Sequence, residues 1–90
     1  MNGLTKHAAK RCQQRGVPPL IVEWLFQFGE FRHAKGAEIG VFTKKSRKAI
    51  REYAGAKAFS SFSDYMDSYL IYKDGHVLTV GRRHHLAHLN

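Results

Sequence analysis

Two arginines and two histidines stand side by side near the end of the 90-residue sequence, at Arg82, Arg83, His84 and His85. Cleavage of RNA without a metal requires a base for the 2′-hydroxyl proton, an acid for the leaving oxygen and cations for the charge that develops at phosphorus. Histidine carries protons near neutral pH, and arginine binds phosphate oxygens in pairs. We therefore predict that Arg82 and Arg83 stabilise the transition state of a metal-independent endoribonuclease and that His84 or His85 transfers protons.

A second group of cations, at Lys44, Lys45 and Arg47, opens a basic segment in the middle of the chain. Residues 44–57 contain six basic residues and one acid. Such a local excess of positive charge favours a polyanionic partner. We predict that Lys44, Lys45 and Arg47 bind the phosphates of a nucleic acid.

A third group lies near the N-terminus, where His7, Arg11 and Arg15 follow one another at a spacing of four residues. This spacing places all three on one face of a helix, and no carboxylate lies within reach along that helix. We predict that the three side chains also contact nucleic acid. The plainer interpretation is a solvated charged face, because exposed charges on helices often contribute little else.

Three other interpretations of these residues are weaker. His84 and His88 can share a helical face for a metal, but no acidic or thiolate ligand is near, and Arg82 and Arg83 repel a dication. Residues 40–46 lack the glycine that a phosphate-binding loop needs directly before its Lys-Ser pair. We therefore predict neither a metal nor a cofactor. The C-terminal cluster can also be read as a solvated tail, since chain termini are often disordered.

Composition points to one basic domain that spans residues 1–90. Lys and Arg number 15 against 7 Asp and Glu, a net charge of +8, and 43% of the residues are hydrophobic. A chain of this length has no room for a second core. The expected partner is RNA or another polyanion, although a merely soluble basic protein has the same composition.

The cellular compartment can be predicted because the sequence lacks cysteine pairs, long apolar runs and a signal-peptide segment. Cys12 is the single cysteine, so the chain forms no internal disulfide and no CxxC zinc site. No run of residues approaches the ~18 apolar positions of a membrane span, and no signal-peptide segment stands at the start. We predict a cytoplasmic protein that does not associate with membranes.

Proline, glycine and hydrophobic patterns predict the elements that hold these residues. A first helix at about 5–15 begins with Thr5 as its cap and ends at Gly16, and a second at about 18–28 opens with two prolines and ends at Gly29. The second helix is apolar almost all round, which predicts that Trp24 lies in the core. A basic helix follows at about 44–54.

Strands are predicted at about 30–35, 38–43, 69–72 and 77–80. The first pair turns at residues 35–37, and the second turns through Asp74 and Gly75, a strong hairpin signal. Between the basic helix and the second pair, one short helical turn is expected, with Ser61 or Ser63 as its cap. The fold class is α+β, with N-terminal helices packed on a twisted antiparallel sheet of about four strands.

Two segments of the sequence resemble a known family. Residues 5–11 (TKHAAKR) with Arg15-Gly16-Val17, and residues 77–83 (VLTVGRR), resemble the opening and the last strand of small uncharacterised bacterial domains. By fold, that family is grouped with the RelE/ParE-type toxins and, more broadly, with the barnase, EndoU, colicin and RelE nucleases. The resemblance implies a RelE/ParE-like sheet with an RNA-facing surface.

The resemblance also implies roles for particular residues. His7, Arg11 and Arg15 match the family's N-terminal polar positions, and Arg83 matches its terminal arginine. The family often has His directly after the Val-Gly of the last strand, where this chain has Arg82. The identity of the general acid and base is therefore open.

Three functions follow from these observations. The first is a toxin-type endoribonuclease that acts on RNA without a metal. The second is a non-catalytic nucleic-acid-binding or regulatory module that uses the same surface. The third is a ParE-type toxin that binds a protein target such as gyrase. The toxin interpretations imply an acidic antitoxin protein as a partner, and the oligomeric state stays open.

Overall fold

The computed structural model describes residues 16–83, which form an antiparallel sheet of four strands, three α-helices and one 3₁₀ helix. The predicted α+β class is confirmed. The predicted helix at 5–15 lies outside the described residues. In chain order the elements are α1 (Pro19–Phe28), β1 (Glu30–Ala34), β2 (Ala37–Val41), α2 (Lys44–Ala54), α3 (Ala56–Ser61), the 3₁₀ helix (Ser63–Asp67), β3 (Ser68–Lys73) and β4 (His76–Arg82).

Helix α1 begins and ends where its prolines and glycine predict. Pro18 is the N-cap and Pro19 occupies the first turn, where a missing N–H costs no hydrogen bond. Gly29 ends the helix by donating its N–H to the Leu25 carbonyl at 2.9 Å. A Cβ at position 29 would overlap that carbonyl, so the close approach requires glycine. Trp24 is 5% exposed, which confirms its predicted place in the core.

Two-residue turns close both hairpins. Lys35 and Gly36 have φ of 51° and 80°, and Asp74 and Gly75 have φ of 52° and 82°. Positive φ at both central residues gives the turn a twist that matches the flanking strands. The first turn was predicted to include Ala37, but Ala37 pairs with Ala34 as the first residue of β2. Strand β1 is shorter than predicted because the left-handed conformation of Lys35 ends it at Ala34. Strand β2 begins one residue earlier than predicted and ends at Val41, before Thr43 caps α2.

The sheet has the order β1-β2-β3-β4, and β2 pairs with β3 although α2, α3 and the 3₁₀ helix lie between them in sequence. Leu70 of β3 is paired with Gly40 of β2 and Val80 of β4, so these positions share one face of the sheet. The helices pack on that face. The core includes the fully buried Ile21, Leu25, Ile50, Leu70 and Val80.

Residues 56–67 contain more helix than the single turn predicted from sequence. Helix α3 buries Phe59 and the 3₁₀ helix buries Met66, and both side chains join the core. This burial stabilises two short helices whose local sequence is a weak helix signal. Neither Ser61 nor Ser63 is an N-cap. Their hydroxyls donate to the carbonyls of Lys57 (3.1 Å) and Ser60 (2.9 Å) instead.

Within residues 16–83, no helix has both the length and the apolar character of a membrane span.

Candidate nucleic-acid interface

A groove of about 1010 Å³ lies between α2 on one side and α3 with the 3₁₀ helix on the other. Its cationic lining comes from α2, and its other lining residues come from α3 and the 3₁₀ helix. The described lining residues are Lys44, Lys45, Arg47, Lys48, Arg51, Phe59, Ser63 and Met66. Phe59 and Met66 are 9% and 7% exposed, so they form an apolar base for a strongly basic rim.

The sequence of α2 sets apart a buried face and a basic face. Ile50 and Ser46 are buried, and they fix which side of the helix meets the core. Lys44, Lys48 and Arg51 stand at positions i, i+4 and i+7, so they form one stripe on the helix. The stripe lies along the groove. Helix α2 therefore contributes all five of the cationic residues described in its lining.

A network of hydroxyl groups fixes the start of α2. The backbone N–H of Ser46 donates to Thr43 Oγ1, and the backbone N–H of Thr43 donates to Ser46 Oγ, each at 3.1 Å. The Thr43 hydroxyl donates to Glu30 Oε2 of β1 at 2.7 Å. These reciprocal bonds satisfy N–H groups that a helix start otherwise leaves without partners. They hold the first lysines of the stripe at a fixed place against the sheet.

The charge of the groove is unbalanced. Among the described residues that line it, five are cationic and none is acidic. The first turn of α2 also contains no acid, although lysines there oppose the helix dipole and carboxylates would favour it. The nearby carboxylate of Glu30 belongs to β1 and bonds to the cap. The local sequence is therefore unfavourable for helix stability and favourable for binding an anion.

Sequence reasoning named three of the groove cations and missed the rest of the lining. Lys44, Lys45 and Arg47 all line the groove, and their predicted role in binding phosphates stays a prediction. Lys48 and Arg51 were not chosen, although their helical spacing from Lys44 was a usable signal. Phe59 could not have been found, because its place beside the groove depends on how α3 packs.

Arg82 differs from its expected position. It is the last residue of β4 and is bound to the 3₁₀ helix, and its predicted role in stabilising a transition state stays a prediction. Its Nε lies 2.9 Å from Asp67 Oδ1, and its Nη2 donates to the Asp64 carbonyl. Its guanidinium carbon also lies over the Tyr65 ring, 5.0 Å from the centroid. Arg82 is thus engaged within the fold, because the 3₁₀ helix presents a carboxylate, a carbonyl and a ring to it.

Arg83 is attached to the same helix by its backbone. Its N–H donates to the Asp67 carbonyl at 2.9 Å, and its side chain is half-buried. Within residues 16–83, no hydrogen-bond partner faces its buried Nε. Arg83 therefore lies beside the 3₁₀ helix, which contributes Met66 to the groove.

The other predicted site residues are not described. His84 and His85 of the C-terminal cluster and His7, Arg11 and Arg15 of the N-terminal stripe lie outside residues 16–83. In that range, no three His, Cys, Asp or Glu side chains are grouped so as to hold a metal ion.

Comparison with protein-family models, with curated proteins and with solved structures finds no significant match to this chain. The RelE/ParE resemblance therefore stays a prediction.

Proposed function

We propose that this protein binds RNA through the basic groove. The observation that supports the proposal is the concentration of five cationic side chains around one groove whose described lining contains no carboxylate. A phosphate backbone that enters such a groove displaces its condensed counterions, and this release is the main source of sequence-independent affinity. The apolar base formed by Phe59 and Met66 offers a surface that nucleobases can contact.

The arrangement fits a ligand site better than an ordinary solvated helix face. Helix faces that only serve solubility usually mix both signs of charge. Here Lys44, Lys45 and Arg47 lie in the first turn of α2, where the helix dipole disfavours cations. A bound polyanion relieves both the mutual repulsion of the lysines and their conflict with the dipole.

Two double variants test the proposal with equal loss of charge. Lys44→Ala/Lys48→Ala removes two groove cations, and Arg32→Ala/Lys73→Ala removes two exposed cations from strands β1 and β3. Fluorescence anisotropy with a labelled single-stranded RNA measures the dissociation constant at several salt concentrations. We expect the groove variant to bind more weakly, with a salt slope smaller by about 1.4. Equal effects of the two variants would show that net charge, and not the groove, determines affinity.

Metal-independent cleavage of the bound RNA is a second candidate, supported by the position of Arg83. Its backbone bond to Asp67 attaches it to the helix that helps to line the groove, and its Nε has no partner among the described residues. A guanidinium group can stabilise the negative charge that develops on a phosphate. In sequence, His84 and His85 follow directly and supply groups that transfer protons near neutral pH.

Cleavage is tested on single-stranded RNA in EDTA, with gel analysis of the products. We expect Arg83→Ala and His84→Ala/His85→Ala to lose about 10²-fold or more in rate while their RNA affinity changes little. Lys73→Ala is the control and should cleave like the wild-type protein. If the wild-type protein binds RNA but does not cleave it, the protein is a binding module and the catalytic role of the cluster is wrong.

A further inference from the structure

One groove cation is held against an aromatic ring. The guanidinium carbon of Arg51 lies over the ring of Phe59, 5.0 Å from its centroid, where a cation is attracted by the electrons of the ring. Arg51 is exposed while Phe59 is 9% exposed. Because Phe59 is buried and Arg51 is exposed and lines the groove, a ring of the core holds the guanidinium at the surface of the groove.

The second arginine with an aromatic contact shows what is particular about Arg51. Arg82 lies over the Tyr65 ring at the same distance, but its donors are bonded to Asp67 and to the Asp64 carbonyl. Within residues 16–83, no carboxylate pairs with Arg51. The contact of Arg82 joins β4 to the 3₁₀ helix, whereas the contact of Arg51 leaves a planar cation available at the groove.

We propose that Arg51, backed by Phe59, is a stacking platform for one unpaired nucleobase, and that the groove takes single-stranded RNA in preference to duplex. This inference rests on the proposed function and assigns the ligand class to the same groove. Unpaired bases stack on arginine planes and aromatic rings, and this stacking adds to the affinity that the phosphate contacts supply. In a duplex, both faces of each base are already stacked on their neighbours.

The length of α2 between Lys44 and Arg51 fits a contact with only a few nucleotides of RNA. From Lys44 to Arg51 the helix advances by about 10 Å, which corresponds to about three stacked nucleotides. Lys44 and Lys48 lie along this length and can contact phosphates on the way to the platform. The groove thus holds a few nucleotides by their backbone and one of them by its base.

The test separates stacking from charge at Arg51. The probes are a labelled oligouridine of eight nucleotides, the same backbone with its central bases removed, and a duplex RNA of equal length. The variants are Arg51→Lys, which keeps the charge and loses the plane, and Lys48→Ala, which loses a charge beside the platform. Thermal melting confirms that both variants are folded, and anisotropy measures their affinities at several salt concentrations.

We expect the wild-type protein to bind oligouridine at least about fivefold more tightly than the abasic backbone or the duplex. Arg51→Lys should remove most of this preference and leave the affinity for the abasic backbone and the salt slope unchanged. Lys48→Ala should weaken binding to oligouridine and to the abasic strand by the same factor and reduce the slope by about 0.7.

Two results would overturn the inference in different ways. If the Arg51→Lys variant binds oligouridine as tightly as the wild type, or loses the same factor of affinity for oligouridine and for the abasic strand, Arg51 acts only as a charge. The stacking platform is then wrong, and the proposal of RNA binding stands. If the wild-type protein binds none of the three probes, the proposed function fails and the platform fails with it.

Discussion

The guanidinium of Arg82 pairs with the carboxylate of Asp67, with 2.9 Å between Nε and Oδ1 and 26% of each side chain exposed. The pair joins the last residue of β4 to the last residue of the 3₁₀ helix. Because Met66 of that helix lines the groove, the end of the sheet and one wall of the groove are fixed to each other.

Loss of this pair should destabilise the protein. We expect Arg82→Gln to lower the free energy of unfolding by about 1–2 kcal/mol, since a charge-assisted hydrogen bond is lost and the partial exposure of the pair reduces the effect. Urea unfolding followed by tryptophan fluorescence measures the change. Arg32→Gln, at an exposed position of β1, is the control and should change stability by no more than about 0.5 kcal/mol. Equal stability of the two variants would contradict a structural role for Arg82.

Trp24 should be essential for the core. Its ring lies edge-on to the Phe62 ring with 5.6 Å between centroids, and only 5% of the residue is exposed. Trp24→Ala removes this burial and leaves a cavity, so we expect a loss of about 3–5 kcal/mol. Circular dichroism during thermal unfolding measures it. The control is Tyr53→Ala, where the residue is 67% exposed and touches Phe28, and its expected cost is below about 1.5 kcal/mol. A Trp24→Ala protein as stable as the control would place this helix face outside the core.

The cap of α2 should matter for both stability and binding. Thr43→Ala removes the acceptor for the Ser46 N–H and the donor to Glu30, and we expect a loss of about 1–2 kcal/mol. Thr43→Ser keeps the hydroxyl and should lose less than half as much. Chemical unfolding of the two variants measures the difference. If alanine and serine behave alike, the hydroxyl network does not stabilise the helix.

Affinity for RNA should depend on salt to an extent set by the groove. Five described cations line it, so full engagement of a single strand gives a log–log slope of about −3.5, and engagement of three gives about −2. Anisotropy titrations between low and physiological salt measure the slope. A steeper slope would mean that cations elsewhere in the chain, such as Arg11 and Arg15, also contact the RNA. A flat dependence would contradict the polyanion hypothesis.

Local signals were enough to predict most of the fold. The prolines before α1, the glycine after it and the Asp74-Gly75 turn act within a few residues, and the structure follows them. The turn of the first hairpin was predicted one residue too long, because Ala37 pairs with Ala34 as the first residue of β2. The helix content of residues 56–67 was predicted too low, because the two short helices depend on the burial of Phe59 and Met66 against distant parts of the chain.

The candidate site was only partly predictable for the same reason. A run of lysines marks α2 as basic whatever surrounds it, so Lys44 and Lys45 could be chosen from sequence. Arg82 and Asp67 are 15 positions apart and meet only when β4 reaches the 3₁₀ helix. From sequence, Arg82 therefore resembled a free catalytic cation, although in the fold it is an ion-paired residue.

The pairing of β2 with β3 has a consequence for how the molecule folds. Each hairpin closes through a turn of two residues, whereas the β2–β3 seam closes over residues 42–67, and the entropy of closing a loop rises with its length. Folding should therefore begin in the two hairpins and end at the seam, where the intervening helices take their places. An incompletely folded chain then carries its full positive charge before α2, α3 and the 3₁₀ helix have come together to form the groove.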